Sequence, residues 1–150
     1  MKLLTIKFIS IFIYLISTNL SYAIKQPNIK NLLIYDKPKK VENITFRNIE
    51  NNVVNLSDYN NSLTIINFWA TWCKPCLDEM PSLNKLQANK KFKSLKIIPI
   101  NVGQEGVSKS VIFFDKLNID NLEIFFDETV NLPKKFSLRG LPTSILFNKN

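Results

Sequence analysis

The sequence predicts an α/β layer fold. Short apolar runs rich in β-branched and aromatic residues recur along the chain, and stretches with helical periodicity separate them. No internal repeat or low-complexity tract interrupts that alternation. At 150 residues, 45% hydrophobic and 21% charged, the chain is long and apolar enough for one packed domain.

The elements follow in order. Ile44-Thr45-Phe46 and Val53-Val54-Asn55-Leu56 are two short strand-like runs around Glu50-Asn51-Asn52, the pattern of a β-hairpin. Leu63 to Trp69 (LTIINFW) reads as a buried strand. A helix is expected from about Cys73, with Cys76, Met80, Leu83 and Leu86 on one apolar stripe and Pro81 as a kink within it. Leu95 to Val102 is a second buried run, although Pro99 argues against a regular central strand because it cannot donate to a ladder. Val107 to Leu117 reads as a helix with Val111, Phe114 and Leu117 inward. Leu122 to Phe126 is a short strand, Thr129 to Phe136 a short helix or turn, and Thr143 to Phe147 a last strand.

The two ends differ from this middle. Lys2 and Lys7 precede the apolar run Phe8 to Ile16, and Ser21-Tyr22-Ala23 offers small residues for cleavage after Ala23. Residues 1–23 are therefore expected to be a signal peptide or an N-terminal anchor, placing the protein in the periplasm or otherwise outside the cytoplasm, with possible membrane association through that segment. Residues 24–40, polar and carrying Pro27 and Pro38, read as a linker, and 41–150 as the folded domain. The formal net charge is +8, but the lysines are scattered and no nucleic-acid-binding motif accompanies them, so no nucleic-acid partner is expected.

The chemistry concentrates in Trp72-Cys73-Lys74-Pro75-Cys76. These are the chain's two cysteines, and it has no histidine. Two thiols cannot by themselves complete a zinc site, Leu77 stands where haem attachment requires histidine, and the loop is too short for a structural staple. Redox exchange remains. At a strand-to-helix junction, Cys73 would hold the helix N-terminus, where unpaired amides and the helix dipole favour a thiolate. Lys74 adds positive charge, and Pro75 is tolerated in the first turn. Cys76, one turn further in, could resolve a mixed disulfide from within. No cofactor or metal is expected.

Phe68 to Cys76 (FWATWCKPC) resembles the active-site stretch of the thioredoxin superfamily. Pro81 falls at that family's helix-kinking proline, and Arg139-Gly140-Leu141-Pro142-Thr143 resembles its cis-proline loop. Glu79, three residues after Cys76 and followed by Pro81, is similar to the exported TlpA/ResA/DsbE group, as are the N-terminal hairpin and the helix-strand insertion between Val102 and Phe136.

The resemblance implies a thioredoxin-like fold and an extracytoplasmic thiol-disulfide oxidoreductase. Its clients would be disulfide-containing proteins, of the cytochrome c maturation or copper-site assembly type, and a membrane thiol-disulfide donor would re-reduce it. It further implies a redox disulfide Cys73–Cys76 and a substrate surface formed by Trp72, Leu141 and a cis Pro142, with Trp69 in the packing. Asn67 stands where thioredoxins have a buried aspartate and cannot act as a base, so Glu79 is expected to take that acid's role. The related fold continues beyond Asn148-Lys149-Asn150 with a further strand and helix, so the final strand and helix are expected to be missing. A competing reading is a redox-inactive or poorly folding relative that at most binds unfolded chains.

Overall fold

The computed structural model describes residue 33 and residues 37–148. The chain divides after Lys39, and the unit from Lys40 onward holds every helix and strand described below. The expected signal peptide lies outside the described residues. Of the expected linker, Leu33 and residues 37–40 are described and belong to no helix or strand.

Six strands form one mixed sheet: β1 (Thr45–Arg47), β2 (Val53–Asn55), β3 (Leu63–Trp69), β4 (Leu95–Asn101), β5 (Phe125–Phe126) and β6 (Thr143–Phe147). Their spatial order is β2-β1-β5-β4-β3-β6. β4 runs parallel to β3 and β5, while β6 is antiparallel to β3 and β1 is antiparallel to both β2 and β5. Three helices connect them: α1 (Lys74–Gln87), α2 (Val107–Lys116) and α3 (Asn131–Lys135). This is the thioredoxin-like α/β arrangement that the sequence predicts, with the hairpin β1-β2 and the insertion α2-β5 in place.

β3 and β4 are buried on both faces, which is why both read as continuous apolar runs rather than alternating ones. On one face Trp69, Ile97, Met80 and both cysteines pack with Phe113 and Phe114; on the other Ile66, Phe68, Ile98 and Ile100 pack with Phe46, Phe125 and Leu132. Asn84 fastens α1 to the insertion. Its carboxamide donates to Asp120 Oδ1 at 3.0 Å and accepts from the Asn121 amide at 2.8 Å.

Two details differ from the sequence prediction. Pro99 lies inside central strand β4, opposite Asn67 of β3. Ile97, two residues earlier and therefore of the same parity, turns its N–H away from β3 to Gln87 Oε1 (2.7 Å). The missing donor of Pro99 thus falls on the side where β5 pairs only from Ile100 onward, and no ladder bond is lost there. In α2 the buried residues are Ser110, Phe113 and Phe114, with Val111 only half-buried. Phe113 takes the inner position because its ring stacks on Trp69, 4.7 Å between centroids.

Candidate active site

The site forms where β3 ends and α1 begins. Cys73 is the N-cap of α1, with an extended backbone, and its Sγ accepts from the Cys76 amide at 3.3 Å. Its carbonyl takes the next donors, the amides of Cys76 and Leu77. Pro75 sits in the first turn, where no helical partner exists for the N–H it lacks. Cys73 and Cys76 are joined by a disulfide. Cys76 is fully buried and Cys73 is 4% exposed, so Cys73 is the more accessible of the two by a narrow margin. Trp72 projects beside them, 68% exposed, while Trp69 is fully buried under Phe113 and Phe114.

The Leu141–Pro142 peptide is cis, as the resemblance implies. Leu141 packs against the cluster that holds both cysteines and against the core on the opposite face of the sheet.

Two partly buried carboxylates lie on the segments that follow β3 and β4. Glu79 lies on α1, one turn beyond Cys76 and half-buried. Asn67 Nδ2 donates to its Oε1 at 2.6 Å. Burial raises the Glu79 pKa above its ordinary value, and the Asn67 hydrogen bond only partly offsets that rise. Glu105, in the loop between β4 and α2, was not legible as a site residue. Its Oε1 accepts from both the amide and the hydroxyl of Thr71, each at 2.8 Å. It therefore pins the loop that leads into Trp72 and Cys73. Burial works to raise its pKa, but the hydroxyl and amide of Thr71 donate to it and hold it below the ordinary value. The one available signal was its place just past the C-terminal end of a parallel strand, where α/β folds gather functional loops. No cluster of metal-ligating side chains occurs among the described residues.

A mixed sheet of this order, with a CxxC disulfide at the start of the helix after β3 and a cis-proline just before β6, defines a thioredoxin-like fold. The AhpC/TSA family matches residues 38–150, and the chain belongs to that family. It is 35% identical over 95 residues to the thiol-disulfide oxidoreductase ResA of Geobacillus kaustophilus, covering 63% of this chain and 53% of that protein. It is 30% identical over 112 residues to the ResA of Bacillus thuringiensis subsp. konkukian, covering 75% and 64%. A solved Chlorobium tepidum structure assigned as a thiol:disulfide interchange protein DsbE superposes with a TM-score of 0.63 at 28% identity, covering 71% of this chain and 74% of that one. StoA from Bacillus subtilis shares the fold, with a TM-score of 0.60 at 23% identity over 71% of this chain and 79% of that one. The chain thus spans between half and two thirds of the length of these curated relatives.

Proposed function

We propose that this chain is an extracytoplasmic thiol-disulfide oxidoreductase that reduces disulfides in client proteins. The observation that carries the proposal is the disulfide between helix-capping Cys73 and fully buried Cys76. The likeness to ResA and DsbE proteins supports the same chemistry. The basic and apolar N-terminal sequence supports export or anchoring. No helix among the described residues is long and apolar enough to cross a membrane.

In the forward reaction the pair starts as a dithiol. The Cys73 thiolate, favoured by the helix N-terminus and by Lys74, attacks one sulfur of a client disulfide. The client's other sulfur leaves as a thiolate. Glu79 takes the Cys76 proton, and the Cys76 thiolate attacks Cys73 Sγ, releasing the second client thiolate. Two electrons pass from the dithiol to the client, whose thiolates take up two protons. Trp72, Leu141 and Pro142 form the contact surface for the client segment. A membrane thiol-disulfide donor then restores the dithiol. The clients belong to the cytochrome c maturation or copper-site assembly type.

Trapping tests the assignment. C76S should accumulate a mixed disulfide through Cys73 with a disulfide-containing client peptide, and C73S should accumulate none. Equal trapping by both variants would reverse the roles or deny them.

A further inference from the structure

Asn67 reads as a mere loss of function, a buried residue that cannot act as a base. Its surroundings say more. Asn67 is fully buried in the middle of β3 and directly opposite Ser144 on β6. Its Nδ2 carries two hydrogens, and both are used: one goes to Glu79 Oε1 at 2.6 Å and the other to Ser144 Oγ at 3.0 Å. Its Oδ1 is buried without a partner. An orphan acceptor in a strand core costs stability, and a leucine of similar volume would avoid it. What the carboxamide offers against that cost is its donor side.

That donor side faces one group that can change charge. β3 and β6 contain no charged residue, Lys96 of β4 pairs with Glu123, Asp120 accepts from Asn84, and the charged neighbours of Glu79 on its own helix, Lys74, Asp78 and Lys85, are all exposed. None of the ion pairs among the described residues includes Glu79. Asn67 is thus the group that offers a hydrogen to the ionised Glu79, and Ser144 braces its orientation from the neighbouring strand.

We infer that Asn67 is a positioning residue: braced by Ser144, it holds the Glu79 carboxylate by hydrogen bond and so governs how readily Glu79 takes the Cys76 proton. The inference rests on the proposed role of Glu79. A donor to the carboxylate favours its ionised form against the cost of burial. Without that donor Glu79 holds its own proton to higher pH and accepts the thiol's proton only once it is itself ionised.

The test uses the reduced full chain and the aromatic disulfide 5,5′-dithiobis(2-nitrobenzoate). Attack by Cys73 releases the first chromophore, and attack by Cys76 on the resulting mixed disulfide releases the second, so the two steps are read separately against pH. N67L should leave the first release unchanged. It should slow the second roughly tenfold near neutral pH, the effect of one hydrogen bond to a partly exposed charge, and move its midpoint to higher pH. N67L should add nothing in an E79Q background. S144A, which removes only the brace at a more exposed position, should shift the midpoint the same way by less, and it decides the matter if N67L does not fold. An N67L or S144A profile identical to the parent, with E79Q clearly altered, overturns the role of Asn67 and leaves that of Glu79 standing. An unaltered second release in E79Q overturns both.

Discussion

Replacing Glu105 by alanine removes a side chain that ties the β4–α2 loop to the loop entering the CxxC motif. Two donors lose their acceptor, the Thr71 amide and hydroxyl, each at 2.8 Å. A hydrogen bond to a charged group contributes about 1.5–3 kcal/mol when buried. Thr71 is only partly buried, so its hydroxyl finds water and contributes little. Glu105 Oε2 is buried without a partner, and its removal returns part of that desolvation cost. The net expectation is a loss of about 1–2 kcal/mol, which lowers a urea midpoint by about half to one molar. E105Q, which keeps an acceptor, should lose less than half as much. Gly103 supplies an independent check. A Cβ at Gly103 would lie 2.5 Å from both Glu105 carboxylate oxygens, so G103A must push that carboxylate off Thr71. G103A should therefore reproduce much of the E105A loss in the parent and cost almost nothing in the E105A background. Urea unfolding of the four chains, with the rate of Cys73 alkylation after reduction, measures stability and loop order together. An E105A chain as stable as the parent, or additive losses in the double variant, would refute the reasoning.

Glu79 gives a pH signature. Its folded pKa is raised, so the folded state binds more protons than the unfolded state between the ordinary glutamate value and the raised one, and stability falls as pH rises through that window. E79Q should flatten this fall, which urea midpoints across the acid range will show; an unchanged slope would mean that Glu79 titrates as an ordinary surface acid. Glu105, held below its ordinary value, contributes stability that is present above the unfolded pKa and lost as pH falls through the folded one, and E105Q should remove that acid-side loss. W72A should weaken client-peptide affinity several-fold in a fluorescence titration while leaving the unfolding free energy within about 0.5 kcal/mol of the parent, because Trp72 is 68% exposed. A large stability loss would place Trp72 in the core rather than on the contact surface.

Local chemistry and periodicity made most of the fold legible. β3 matches its apolar run residue for residue, and α1 starts at the capping cysteine and continues through Pro81 to Gln87. The cis Pro142 was legible only through the resemblance, because nothing in Arg139 to Thr143 itself demands that isomer. What escaped depends on contacts between distant segments. Pro99 is acceptable in β4 because β5 is only two residues long and joins late, and that length is set by tertiary packing. Phe113 turns inward rather than Val111 because Trp69 awaits it across the interface. Glu105 and Ser144 join the site from 34 and 77 residues away along the chain, and neither sits in a motif. Asn67 was visible as a departure from an acid, but its bond to Glu79 exists only once β3 and α1 have packed.

The reduction potential of the Cys73–Cys76 pair, equilibrated against glutathione, tests the proposed reductase most directly. Helix capping and Lys74 favour the Cys73 thiolate and thereby the dithiol, but the clients can be reduced only if the pair stays the stronger donor. The expected value lies near the thioredoxin end of the range, about −270 mV. A value near about −120 mV, where a dithiol is a strong oxidant's product, would contradict reduction and make the same residues an oxidase.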